Sequence, residues 1–197
     1  MKVIISRKGF DSSAGWMPSP ILEDGRMVPL PIPSTTDSVR MDEIAHPVSN
    51  IDQLLRDLSR PRHPLCGSTT VHVDPVLVRP PGAPTTWRPC LGQTGSAASH
   101  LEKQGVGPGD VFLFFGWFRQ VQKTSDGWRW QRSAPDIHVL FGWLEIDACL
   151  FIRRHRSQCL KQYPWLASHP HAADAYTDPR NCIYMGTKTS SILGKGY

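Results

Sequence analysis

The chain has 197 residues, of which 40% are hydrophobic and 20% charged. This composition is typical of a folded globular protein and excludes a wholly disordered chain. No apolar run reaches the roughly 20 residues that a membrane helix needs, and no signal-peptide core follows the first residues, so we expect a cytoplasmic protein without a membrane partner. The 22 basic and 17 acidic residues give a net charge of +5, which favours a polyanionic partner.

The first predicted element is a buried strand, KVIIS at residues 2–6, and a polar loop that contains glycine follows it at 7–19. Loops at the ends of strands often face a ligand crevice. Further along, Asp24-Gly25 predicts a tight turn between two extended segments, because glycine readily adopts the positive φ that such turns require.

Two helices and one strand are predicted in the middle of the chain. Residues 51–58 place their apolar side chains on one helical face, and Asn50 is the expected N-cap. The segment TTVHVDPVLV at 69–78 predicts a strand that ends at Asp74-Pro75, since proline lacks the amide that a sheet needs. A second helix is predicted at 96–103, where glycine stops it two residues later.

The strongest pattern is a pair of similar apolar runs, DVFLFFGWFR at 110–119 and HVLFGWLEI at 138–146. Both are rich in residues that suit the middle of a sheet, so we expect neighbouring antiparallel strands. Between them, Asp126-Gly127 predicts an additional hairpin turn. A third helix is predicted in the C-terminal part of the chain, and a strand at NCIY, residues 181–184.

These elements predict an α+β fold in a single domain that spans 1–197. Its sheet is expected to be mixed and largely antiparallel, either open or closed in the manner of a barrel, with two to four short helices. The last residues, GTKTSSILGKGY, contain no apolar element that would close a domain. We therefore expect either an incomplete C-terminus or a C-terminal segment that contacts a partner protein or a second copy of the chain.

The loop after the first strand carries side chains suited to a nucleotide phosphate or a sugar. Arg7 offers a fork of donors that matches phosphate, and Lys8 offers a mobile charge. Ser12, Ser13 and Ser19 can donate to anionic oxygens, and Asp11 could act as a base or accept from a ribose. In the structural alternative, Asp11 and the serines cap a turn.

Histidines raise the question of a metal. His72 and Asp74 alternate along one predicted strand, and His169 and His171 would alternate in an extended segment, so four ligand-type side chains could converge. Nothing in the sequence shows that the two segments meet, and no metal site is predicted. The five cysteines lack C-x-x-C spacing and are predicted to be reduced, mostly buried thiols.

Several ordered blocks carry a family resemblance. They are MKVIISRKGFDSSAG, PSPILEDGR, HVDP, WRPCLGQTGSAASHL, GVGPGDVFLFFGWFR, HVLFGWLEI, and HPH followed by NCIY. With these blocks the chain resembles the nucleotide modification associated domain 3 family over nearly its whole length. That family is inferred to act in bacterial and phage systems that alter nucleic-acid bases. The resemblance therefore implies an enzyme linked to DNA or to nucleotides, with the reaction and the cofactor left undefined.

Carried over position by position, the blocks imply a set of site residues. The catalytic groups would be Asp11, as general base or electrostatic partner, together with His72 and Asp74. A flipped base would lie between Trp117 and another ring, while Gln93 reads its edge. The residues implied to bind substrate are Arg7, Lys8, Ser12, Ser13, Arg88, Gln93, Trp117, Arg119, His169 and His171.

Three functions are compatible with these residues. The first is an enzyme that modifies a base or nucleotide bound in a cleft beside the loop at 7–19, with DNA the favoured partner. The second is a reader that binds modified bases in an aromatic pocket without chemistry, which needs stacking rings but no activated carboxylate. The third is a scaffold subunit of a modification complex.

Overall fold

The computed structural model describes residues 1–189. Within it the chain divides into two compact units. Unit 1 comprises Met1–Ser6, Val73–Phe114 and the chain from Gly142 onward, and unit 2 comprises Arg7–His72 and Phe115–Phe141. The single-domain organisation of 1–197 stays a prediction.

Seven strands and three α-helices form the regular structure of residues 1–189. The strands are β1 (Val3–Arg7), β2 (Ser19–Ile21), β3 (Cys90–Gln93), β4 (Val111–Thr124), β5 (Gly127–Trp130), β6 (Ile137–Phe151) and β7 (Cys182–Gly186). The helices are α1 (Ile51–Leu58), α2 (Gly95–Lys103) and α3 (Ile152–Gln162). Short 3-10 turns occur at Met41–Glu43, Pro164–Ser168 and Pro170–Ala172.

One mixed sheet contains these strands, in the order β1-β4-β6-β7-β3, with β2 and β5 also paired to β4. Strand β2 is parallel to β4, whereas the β4–β5, β6–β7 and β3–β7 pairs are antiparallel. Because the order ends on β1 at one side and β3 at the other, the sheet formed by residues 1–189 is open rather than closed into a barrel. The predicted α+β class with a mixed, largely antiparallel sheet is confirmed.

Helix α1 and the β4–β5 hairpin organise unit 2. The Asn50 side chain accepts the Gln53 amide as the predicted N-cap, and the four apolar side chains of the helix are buried. On the other face of the helix, Asp57 accepts the backbone amide of Trp128 at 2.8 Å, which fixes the hairpin to the helix. The hairpin predicted from Asp126-Gly127 is therefore confirmed.

One buried apolar cluster of unit 1 contains side chains from α3, β3 and β7. Its buried members are Cys90, Ile152, Cys159, Leu166, Ala172, Ile183 and Met185. The five cysteines are free thiols and three of them are buried, as predicted. Burial raises the pKa of the Cys90 thiol, so this cysteine is not a thiolate at neutral pH.

The strand predicted within residues 69–78 does not form. In unit 2 the segment makes isolated bridges to Pro33 and Arg40, and in unit 1 Val76 exchanges backbone hydrogen bonds with Cys90. Its β-branched residues therefore bond to several partners, one residue at a time, instead of to one neighbouring strand. Propensity alone does not distinguish these two arrangements.

Asp110, a buried acid of unit 1, holds the start of the chain. Its Oδ1 accepts the Lys2 amide at 2.6 Å, and its Oδ2 accepts the Gly107 amide at 3.1 Å. Burial, the largest influence, would by itself raise the pKa of this carboxyl. Donation from the two amides, with the charges of the Lys2 side chain and the amino terminus, outweighs burial and holds the pKa below its ordinary value of 3.8.

Replacing Asp110 with asparagine is expected to lower the free energy of unfolding by about 2 kcal/mol at pH 7, because the new amide group cannot accept both backbone donors. The folded-state pKa is depressed, so the contribution is complete above pH 3.8 and is lost as the pH falls through the folded value. Urea unfolding at pH 7 and at the lowest pH at which the wild type is still folded measures both effects. The exposed turn variant Asp126→Asn is the control, and an equal loss at both pH values would contradict the argument.

Among residues 1–189 no helix is a candidate membrane span, since the longest, α3, has 11 residues and a bilayer requires about 20. The expected partner contact through the C-terminal segment concerns residues 186–197, of which 190–197 lie outside the described residues.

Candidate functional site

The loop predicted at 7–19 to bind a nucleotide is held together by hydrogen bonds within the loop to Asp11. One carboxylate oxygen, Oδ1, accepts the amides of Ser13 and Ala14 and the Ser13 hydroxyl, each at 2.7 Å. The other, Oδ2, lies 2.6 Å from Arg7 Nη2. Burial would raise the pKa of Asp11, but these hydrogen bonds and the Arg7 charge hold it below its ordinary value of 3.8. Both carboxylate oxygens of Asp11 therefore bond to residues of the same loop. The role of Asp11 as a general base is untested.

Strand β4 lies beside this loop within unit 2. The Lys8 amide donates to a β4 carbonyl at 2.9 Å, and a Cβ on Gly116 of β4 would lie 3.1 Å from the Lys8 carbonyl oxygen. Trp117 follows and is half-buried, and Arg119 forms an ion pair of 3.6 Å with Asp136. The loop and the predicted stacking residue thus belong to one unit, and their shared nucleotide cleft stays a prediction.

His72 and Ser12 are the remaining predicted residues of unit 2. His72 Nδ1 lies 3.0 Å from Asp37 Oδ2, and the Ser34 hydroxyl donates to the same oxygen at 2.6 Å. Because Ser34 bonds to the carboxylate and not to the imidazole, this arrangement is not that of a serine nucleophile with its base. Ser12 is exposed on the loop.

Unit 1 contains a buried polar cluster that we call the acid–imidazole cluster: Asp74, His169, His171 and Asn181. The side chains of Asp74 and His169 are 2% and 4% exposed, and His171 and Asn181 are also buried. Asp74 Oδ1 accepts the Gly92 amide at 2.7 Å and lies 3.4 Å from His169 Nε2. Three of the residues predicted from sequence are therefore brought together here.

Hydrogen bonds fix which nitrogen of His171 carries the proton. The side-chain nitrogen of Asn181 donates to the His171 carbonyl at 2.7 Å, so the side-chain oxygen of Asn181 is the atom that faces His171 Nδ1 at 2.8 Å. That oxygen can only accept, and Nδ1 must donate to it. The neutral His171 ring therefore has its lone pair on Nε2.

His169 has the opposite arrangement. Its Nδ1 accepts the His171 amide at 3.2 Å, so in the neutral ring the proton is on Nε2. Within residues 1–189 this buried Nε2 has no hydrogen-bond partner, although the Asp74 carboxylate lies 3.4 Å away. A buried donor without a partner is rare and requires an explanation.

The surroundings of His171 leave no spare room beside the ring. A Cβ added to Gly92 on β3 would lie 2.1 Å from a ring carbon. Tyr176 stacks on the imidazole with 4.6 Å between ring centroids and 26° between planes. Glycine is therefore required at position 92 if the imidazole is to keep its place.

This geometry suits proton transfer. The Asp74 carboxylate and a ring nitrogen of His171 lie within 4.8 Å of each other, so the carboxylate would stabilise an imidazolium if Nε2 accepted a proton. Asp74 and His171 are also ligand types that metals accept. The expectation that the protein has no metal site is untested.

Arg88 and Gln93 belong to the same unit as the cluster. Arg88 Nη2 lies 2.7 Å from Asp147 Oδ2 in an ion pair. Gln93 is the last residue of β3, directly after Gly92, and is half-buried. Their contacts with a substrate stay predictions.

Sequence reasoning missed Asn181, Gly92 and Tyr176. Asn181 directly precedes the strand NCIY, where nothing in the local pattern indicates a buried side chain. Gly92 gave a weak signal, because a glycine inside a strand often marks the close approach of another group.

Comparison with known proteins gives one result of functional value. The family model described as nucleotide modification associated domain 3 matches residues 2–196. No curated protein and no solved structure gives a significant match to the chain. The matched range includes every segment of the acid–imidazole cluster. The chain therefore belongs to the nucleotide modification associated domain 3 family.

Proposed function

We propose that the protein is an enzyme that modifies a nucleotide or a nucleic-acid base, with the acid–imidazole cluster as its proton-transfer centre. The description of the family supports nucleotide modification as the general role. The observation that carries the proposal is the His171 Nε2 lone pair, fixed by Asn181 beside a buried carboxylate. Ionisable groups held together in a buried site are typical of catalytic centres.

Each member of the cluster has a separate task in this proposal. His171 accepts a proton through Nε2 from the attacking nucleophile or the substrate and returns it to the leaving group. Asp74 stabilises the imidazolium in between. Asn181 keeps the ring in the required tautomer. His169 keeps its proton and donates a hydrogen bond from Nε2–H to a substrate oxygen, a task consistent with the absence of a hydrogen bond from this nitrogen within residues 1–189.

This proposal assigns the general base to His171 and not to Asp11, because the Asp11 oxygens are occupied within their own loop. Arg7 and Lys8 keep their proposed role as phosphate-binding residues. We favour DNA as the substrate and the cytoplasm of a bacterial or phage-infected cell as the location. The five free thiols are consistent with a reducing compartment.

Mass spectrometry of nucleosides tests the proposal. DNA, RNA and free nucleotides are compared from cells that express the wild type, Asp74→Asn, Asp11→Asn or no protein. Both variants keep an oxygen that can accept the backbone amides, so they differ from the wild type mainly in charge. We expect a new nucleoside with the wild type and with Asp11→Asn, and a loss of at least about 100-fold with Asp74→Asn.

Two outcomes would overturn the proposal. A product that persists with Asp74→Asn but disappears with Asp11→Asn would place the chemistry in the loop of unit 2. An unchanged nucleoside profile, with selective binding to oligonucleotides that carry modified bases, would identify a reader instead of an enzyme.

A further inference from the structure

We propose that unit 2 carries a second site, a groove that binds single-stranded nucleic acid through Arg26, Lys123 and Trp128. The groove has a volume of ≈ 440 Å³ and lies between the start of α1 and the β4–β5 hairpin. Pockets of roughly 300–1,000 Å³ are usual for small ligands, so the space suits about one nucleotide. None of the site residues predicted from the sequence lines it.

Trp128 gives the groove a positioned aromatic ring. Its backbone amide donates to Asp57 of α1 at 2.8 Å, so the hairpin residue that carries the indole is anchored to a helix. The Lys123 ammonium lies 5.6 Å from the centroid of the same ring. A half-buried indole on the wall of an open groove is the kind of surface on which an unpaired base stacks.

The two cations supply the contacts to phosphate. Lys123 is exposed on β4, where its flexible chain can follow a phosphate group. Arg26 is held in place, because its Nε donates to Asp24 at 2.7 Å and its Nη1 to the Pro47 carbonyl at 2.9 Å. The Asp24 charge offsets part of the Arg26 charge, so we expect Lys123 to contribute more to phosphate binding. The start of α1 adds little, since Asn50 already caps it.

An accessible aromatic ring beside two cations favours a single strand over a duplex as the ligand. Stacking on Trp128 needs access to the face of a base, which a duplex covers with the next base pair. The net charge of +5 favours a polyanion. This site is additional to the proposed catalytic centre, because binding in the groove involves no reaction. Binding of a nucleic-acid strand here implies that the substrate or product of the enzyme is a polymer.

Fluorescence anisotropy with a fluorescein-labelled 12-nucleotide DNA strand tests the groove in the full-length protein. Loss of one stacked base predicts that Trp128→Ala weakens binding by about 5- to 150-fold, while Trp128→Phe keeps part of the affinity. Lys123→Gln should reduce the slope of log affinity against log salt by about 0.7, the value for one contact to a single strand. The control Lys161→Gln, an exposed lysine of α3 in unit 1, should change neither quantity.

Heparin and a duplex of the same length separate stacking from simple charge attraction, because heparin has no bases. We expect Trp128→Ala to bind heparin as tightly as the wild type does. Wild-type affinity of both Trp128 variants for the single strand, equal losses for heparin, or tighter binding of the duplex would each overturn the proposal. Failure of the proposed chemistry leaves this test intact, because binding in the groove involves no reaction.

Discussion

Replacement of His171 by asparagine is expected to slow nucleoside modification by a factor of about 10²–10⁴, the usual contribution of a general base. The asparagine nitrogen takes the place of Nδ1 and can still donate to the Asn181 oxygen, so the local hydrogen bond is kept. The lone pair of Nε2 is lost. The measurement is the rate at which the modified nucleoside accumulates, followed by mass spectrometry.

The matched control for this variant is His100→Asn. His100 is exposed on α2, in the same unit as the cluster, and the same chemical change there should leave the rate unaltered. A thermal melt of both variants shows whether the fold is intact. A rate for His171→Asn within about threefold of the wild type, in a folded protein, would remove His171 from the reaction.

Gly92→Ala is expected to be among the most destabilising single substitutions in the protein, with a loss of about 3 kcal/mol in the free energy of unfolding. The new Cβ would lie 2.1 Å from the His171 ring, which Asn181 and Tyr176 hold in place. The ring, the strand or both must move. Urea unfolding measures the loss, which corresponds to about 6–12 °C in Tm for a chain of this length.

Gly107→Ala is the control for this substitution. A Cβ at position 107 meets no atom within 4 Å, so we expect a change below about 0.5 kcal/mol. If Gly92→Ala were as stable as Gly107→Ala, the close packing of β3 against His171 would be contradicted.

Much of the fold follows from local pattern. Helix α1 combines an apolar face with a capping asparagine, and two similar apolar runs form the neighbouring strands β4 and β6. In these elements burial and intrinsic propensity favour the same structure. Residues 69–78 have similar propensities but take their hydrogen bonds from separate partners, so tertiary contacts override the local preference.

The candidate site was only partly predictable. The motifs HVDP and HPH indicate Asp74, His169 and His171 as candidate site residues because of their side-chain chemistry. Neither motif shows that these side chains lie close together in the fold. The proximity of these three side chains depends on the packing of β3 against the 3-10 turn at Pro170–Ala172. Asn181 looks ordinary in the sequence, and only the hydrogen bond to Nδ1 shows that it determines the tautomer.

The stacking of Tyr176 on His171 has a kinetic consequence. His171 is 4% exposed, whereas most of the surrounding segment 173–180 is exposed to solvent. A molecule as large as a nucleoside reaches Nε2 only after the covering residues, Tyr176 among them, withdraw. For the proposed enzyme, the frequency of that opening would set a ceiling on turnover, and bulk water would not compete for Nε2 of His171 while the cover is closed.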